Sequence, residues 1–161
     1  MTVSMPRTVE VQRRAKAAPE VVFSYFTDAA RHVLWQGTEA SLDPRPGGTY
    51  AVRFMDRGWI RGEFVEVDPP RRLVFTWGVE IDEEIPDGIA ALLPSSTIVE
   101  VDLTPDGDGT IIHVRHSGLP GAMAEAFTDQ GWNHYTDRLV ILLDGADPGP
   151  DPFPEIARSR R

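Results

Sequence analysis

A chain of 161 residues, 41% hydrophobic and 25% charged, fits one globular domain with a real core and is too short for two comfortable ones. Its formal net charge of -9 opposes a phosphate backbone, and no run approaches the roughly 20 apolar residues that span a bilayer. Nucleic-acid binding and membrane insertion are disfavoured, and the absence of cysteine removes disulfides, thiolate nucleophiles and sulfur-rich zinc sites.

The N-terminus passes at once into a strand pattern without a signal-peptide sequence, so cytoplasmic residence is the default expectation. From Thr8 to Ala15, Val9 and Val11 alternate with Glu10 and Gln12, which predicts a half-buried strand. Ala18, Pro19 and Glu20 then open a short helix whose apolar side is Val21, Val22, Tyr25 and Phe26. Asp28 caps a second short helix through Ala30, His32 and Leu34. Candidate strands near Glu39 to Asp43 and Thr49 to Met55 flank the turn at Arg45, Pro46, Gly47 and Gly48.

Asp56, Arg57 and Gly58 turn the chain into Trp59 to Asp68, where Ile60, Gly62 and Phe64 share a face until the phase slips before Val67, as a bulge would make it do. After Pro69 and Pro70, Leu73, Phe75 and Trp77 alternate with Val74 and Thr76 in a strand with an aromatic face. Periodicity disappears from Val79 to Ser95, where carboxylates gather at Glu80, Asp82, Glu83, Glu84 and Asp87; this reads as a mobile loop. Thr97, Val99, Val101 and Leu103 alternate again, and Pro105 to Gly109 joins them by a hairpin to a strand in which Ile112, Val114 and His116 share a face.

The last apolar run, from about Gly121 to about Gly145, has helical spacing. On a wheel centred on Trp132, Thr128, Tyr135, Thr136, Leu139, Leu142 and Leu143 fall on the same side, whereas Asn133, His134 and Asp137 fall opposite. An indole, a phenol, two threonines and leucines make a stripe more varied than a plain core helix requires, and suggest the lining of a cavity.

No phosphate loop, dinucleotide turn or Gly-x-Ser-x-Gly elbow is present. Asp106, Asp108 and Gly109 resemble part of a calcium loop, but position 117 is serine where the loop needs glutamate, so a solvated turn is the better reading. The carboxylates between Glu80 and Asp87 read as a solvated run rather than a metal site. Of His32, His113, His116 and His134, only His116 lies on a predicted buried face. Such a histidine is more often a hydrogen-bonded core residue than a catalyst, and both readings stay open. Trp35, Phe54, Phe75, Trp77 and Trp132 could simply fill a core, but five large rings around one helix leave irregular space, which we read as a cavity.

One strand, two short helices, six strands and a long helix resemble the START-like, or SRPBCC, superfamily, in particular the branch related to the activator of Hsp90 ATPase. The resemblance is carried by Ala18 to Phe23, Leu42 to Gly48, Gly62 to Phe64 with Val67 to Pro70, Leu73 to Trp77, Val99 to Pro105, Gly109 and Thr110, His116 to Gly118, and Gly131 and Trp132 with Leu139. It implies an α+β helix-grip fold, a curved seven-stranded antiparallel sheet wrapped around the C-terminal helix. Residues 1–146 would form the single domain and the proline-rich residues 147–161 a disordered tail. That branch commonly has leucine where this chain has Thr136, whose hydroxyl needs either a backbone carbonyl one turn back or a ligand.

The resemblance further implies an apolar cavity between sheet and helix for a small hydrophobic or aromatic molecule. Trp35, Phe54, Phe75, Trp77, Val99, Val101, Trp132 and Leu139 would supply contact area, while His116, Tyr135 and Thr136 would orient the ligand and the loop from Val79 to Ser95 could act as a lid. No catalytic residue, metal or cofactor is assigned. A polyketide cyclase-like enzyme is the rival expectation, with His116 shuttling a proton and Tyr135 or Arg13 steadying an enolate. A protein-interaction module with a filled core is a third, and homodimer formation stays open.

Overall fold

The structure, a computed structural model, describes residues 7–55, 58–81 and 92–152. In chain order the elements are β1 (Arg7–Ala15), α1 (Pro19–Thr27), α2 (Ala29–His32), β2 (Glu39–Leu42), β3 (Thr49–Met55), β4 (Gly58–Asp68), β5 (Arg72–Trp77), β6 (Val79–Ile81), β7 (Thr97–Asp106), β8 (Gly109–Leu119) and α3 (Ala122–Leu143). All strand pairs are antiparallel, in the order β1-β8-β7-β5-β4-β3-β2 with β6 added against β4. A curved sheet thus covers one long helix, which is the helix-grip arrangement. Among the described residues no helix is long and apolar enough to cross a membrane.

Local chemistry accounts for the short helices. Proline in the first turn starts α1, which buries Val22, Phe23 and Phe26, and the Asp28 carboxylate accepts the Ala30 amide at 3.0 Å to start α2. Alternation along β1, β7 and β8 places Val9, Val11, Val99, Val101, Leu103, Ile112, Val114 and His116 on the covered face. The expected phase slip in β4 is present as a register shift between Phe64 and Glu66, opposite β5.

Beside the seven expected strands the sheet carries a short eighth, β6. Val79–Ile81, within the stretch read as loop, pairs with Gly58–Ile60 and continues the register that Phe75 makes with Phe64. β5 and β6 are therefore one strand interrupted at Gly78. The interruption has a steric cause: a Cβ at Gly78 would come 1.8 Å from the Leu93 carbonyl oxygen, because residues 92 and 93 cross there and the Leu92 carbonyl accepts the Val79 amide at 2.6 Å. Three residues are too few to announce themselves by alternation.

The core is aromatic. Tyr50 stacks on Phe75 at 4.1 Å, Phe64 meets both edge-on, and Phe26, His32 and Trp35 continue the cluster beneath α1 and α2. His32 is fully buried, which corrects the expectation that only His116 is. α2 spans four residues, too short for periodicity to reveal its inner face, and packing against Trp35 and Tyr50 decides it.

The turn residues Asp56 and Arg57, the carboxylates Asp82, Glu83, Glu84 and Asp87 with most of the expected lid, and residues 153–161 lie outside the described residues. The start of the expected tail runs along α3, where Arg138 Nη1 donates to the carbonyls of Pro148 at 3.3 Å and Pro150 at 3.4 Å, and His134 pairs with Asp151 at 2.8 Å.

Candidate functional site

Between α3 and the sheet lies a hollow bordered by Gln36, Phe54, Ile60, Trp77, Val79, Phe127, Thr128, Gly131, Trp132 and Tyr135. Strands β3, β4, β5 and β6 supply one wall and two turns of α3 the other, with Gln36 arriving from the end of α2. Its volume is about 30 Å³, room for one or two water molecules. The cavity inferred from five rings is therefore small, because other rings fill the space beside them: Trp35 packs on Phe26 and His32, Phe75 on Tyr50 and Phe64, and Trp77 and Trp132 both against His116.

Beside the hollow runs a hydrogen-bonded relay. Trp132 Nε1 donates to His116 Nδ1 at 2.9 Å, so that nitrogen carries no proton and Nε2 does. Nε2 in turn donates to Thr97 Oγ1 at 2.7 Å, and Thr97 donates to the Trp77 carbonyl at 2.6 Å. Each polar atom of the relay is satisfied by the next. Burial lowers the His116 pKa to about 3, so the imidazole is neutral at physiological pH.

Two residues of the lining hold a polar atom that is not satisfied: Trp77 Nε1 and Thr128 Oγ1 are buried and have no hydrogen-bond partner among the described residues. Thr128 departs from the other helical threonines: Thr27 donates to the Phe23 carbonyl at 3.0 Å and Thr136 to the Trp132 carbonyl at 2.6 Å, each one turn back. The Tyr135 pKa is raised above its ordinary range by burial, to which the Asp151 carboxylate adds through its charge and a hydrogen bond. None of the described residues lining the hollow carries a formal charge. Among the described residues no group of three or more histidines and carboxylates is placed to hold a metal.

Of the residues singled out from the sequence, Phe54, Trp77, Trp132 and Tyr135 meet at the hollow. Trp35, Phe75, Val99, Val101, His116, Thr136 and Leu139 are buried in the surrounding core and do not border it. Trp35 donates its indole N–H to the Tyr25 carbonyl at 2.9 Å, and Thr136 takes the backbone partner rather than facing open space. Arg13 is away from the hollow and ties β1 to α3, with Nε on Asp137 at 2.9 Å and Nη2 on the Asn133 side-chain oxygen at 2.7 Å.

Gln36, Ile60, Val79 and Phe127 line the hollow without having been expected to, while Thr128 was expected in the stripe but not as a ligand contact, and Gly131 stood at its edge. Ile60 was visible on the inner face of β4. Gln36 had no local signal; its Oε1 pairs with His32 Nε2 at 2.8 Å, a contact that only the buried position of α2 creates.

A family model described as Activator of Hsp90 ATPase homolog 1-like protein matches residues 16–144. No curated protein matches the chain. Among solved structures, an AHSA1-like protein of Rhizobium etli is 40% identical, with 95% of this chain and 92% of that one covered and a TM-score of 0.68. CalU16 of Micromonospora echinospora is 26% identical over 96% of this chain and 84% of its own, with a TM-score of 0.69. The Aha1 dimer of Colwellia psychrerythraea shares the fold at 16% identity, covering 86% of this chain and 97% of that one, with a TM-score of 0.71.

Proposed function

The chain belongs to the activator of Hsp90 ATPase homolog 1-like family, and from that premise we propose that it binds a small apolar or aromatic molecule between the sheet and α3. The supporting observation is the pairing of an aromatic-walled hollow with two buried polar atoms of its lining residues, Trp77 Nε1 and Thr128 Oγ1, that have no partner among the described residues. Buried polar groups are nearly always paired, so a concave site holding two exceptions is suited to an external partner. At about 30 Å³ the hollow receives only one end of such a molecule, and the site widens as the rest enters.

The small volume favours a second reading, in which the hollow is part of a filled core and the protein acts through its surface. Native mass spectrometry of protein purified without detergent and offered monocyclic aromatics, bicyclic aromatics and fatty acids separates the two. A 1:1 complex that is lost in Gly131→Leu, with the helical circular dichroism retained, supports the ligand site. A compact protein that takes up nothing supports the filled core.

The cyclase alternative with His116 as proton shuttle lacks comparable support, since both ring nitrogens are engaged and the ring lies behind Trp77 and Trp132 without itself bordering the hollow. Homodimer formation is proposed because the structurally similar Aha1 of Colwellia psychrerythraea is a dimer, and sedimentation equilibrium checks it.

A further inference from the structure

Resting on the ligand-site reading, we propose that the occupant is a neutral aryl compound bearing a carbonyl-type acceptor. The Trp77 indole N–H receives that acceptor, and Thr128 makes the second polar contact. An indole nitrogen is a donor only, so whatever satisfies Trp77 must accept.

Three neighbouring groups are committed elsewhere. The Trp132 N–H is held by His116, the Thr136 hydroxyl by the Trp132 carbonyl, and Gln36 Oε1 by His32. Trp77 and Thr128 are only 6% and 3% exposed, so bulk water does not replace the missing partner. A carbonyl oxygen has two lone pairs, enough to accept from both the indole and the hydroxyl.

The walls set the remaining chemistry. Phe54, Phe127, Trp132 and Tyr135 present rings, which suits a flat aromatic body. Among the described residues the lining has no cationic side chain, so a carboxylate would lose its hydration without a counter-charge; it has no anionic one either, which disfavours amines. Ketones, aldehydes, esters and quinones remain, whereas free fatty acids and aromatic acids are rejected.

The test uses the full chain and three probes of one size: acetophenone, its carbonyl-free isostere α-methylstyrene, and benzoate at neutral pH. Titration calorimetry reads affinity, while the indole 1H–15N resonances of Trp77 and Trp132 report the contact directly. Acetophenone is expected to bind at least about tenfold more tightly than α-methylstyrene, to move the Trp77 indole resonance, and to leave that of Trp132 nearly in place. Benzoate is expected to bind more weakly than either. Trp77→Phe should bring the acetophenone to α-methylstyrene ratio close to one, and Thr128→Val should reduce it in part.

Equal binding of the two isosteres, or tighter binding of benzoate, overturns the acceptor assignment while leaving the ligand site standing. A Trp77 indole resonance unmoved by all three probes means that water alone satisfies the hollow, and also overturns the assignment. If none of the probes binds, the assignment fails and the wider ligand panel decides the fate of the site itself. The resonance measurement needs no substitution, so it holds even if Trp77→Phe fails to fold.

Discussion

Trp132 on the C-terminal helix donates its indole hydrogen to Nδ1 of His116 on the neighbouring strand at 2.9 Å, and this bond sets the imidazole tautomer. With Nδ1 accepting, Nε2 must carry the proton and give it to Thr97, which anchors on the Trp77 carbonyl. A helix, two central strands and the end of a third are joined through one neutral ring.

Breaking the relay in its middle should therefore be costly. Thr97→Val keeps the shape but leaves the His116 Nε2–H and the Trp77 carbonyl without this partner. We expect a loss of about 1–3 kcal/mol in urea unfolding, together with a shift of the Trp132 indole resonance. An unchanged midpoint would show that the relay adds no stability.

The two buried histidines make the fold acid-sensitive above the range where carboxylates titrate. Burial lowers the pKa of His32 to about 4 and that of His116 to about 3, while an unfolded histidine titrates near 6.5. Below pH 6.5 the unfolded chain takes up protons that the folded chain refuses, so stability is full above that pH and falls as the pH drops toward 4 and then 3. Between pH 6.5 and 5 each histidine contributes a slope of about 1 kcal/mol per pH unit. Urea unfolding at pH 7.5, 6.5, 5.5 and 5 measures it, and a flat profile contradicts the assignment.

Thr136 should prove dispensable for binding. Its hydroxyl is taken by the Trp132 carbonyl, and the residue does not border the hollow. Thr136→Val is expected to change stability by no more than about 1 kcal/mol and to leave the affinity of any ligand taken up by the native chain within twofold (roughly 0.4 kcal/mol). A large change in ligand preference in this variant would return Thr136 to the site.

Gly62 is required by a close backbone approach. A Cβ there would come 1.8 Å from the Thr76 carbonyl oxygen across the β4–β5 pairing. Gly62→Ala should cost about 3 kcal/mol or more in thermal or urea unfolding. A near-native melting temperature would mean that the strands separate locally at little cost.

Much of the fold is legible along the chain. Alternation in Thr97 to Leu103 and Ile112 to His116 reveals which side chains turn inward, and the phase slip before Val67 reveals the bulge at Val65. The same periodicity shows that Thr128, Trp132, Tyr135, Thr136 and Leu139 share the buried side of the last helix. Val79–Ile81 and the inner face of His32 escape it, because a three-residue strand and a four-residue helix contain less than the pattern needs.

Net charge, the absence of cysteine, the order of elements and the inward faces all follow from the residues and their spacing, since burial of alternate or every third and fourth side chain is a local, periodic constraint. Tertiary packing decides which polar atoms are consumed and which are left over. His116 and Thr136 looked available and are bonded inside the protein, whereas Trp77 and Thr128 turn out to hold polar atoms without a partner among the described residues. Periodicity assigns a side chain to a face, but a hydrogen bond depends on rotamer and on ångström-scale distances between elements far apart in sequence. The size of the hollow is of the same kind, a residue of how five rings pack once the sheet has closed on the helix.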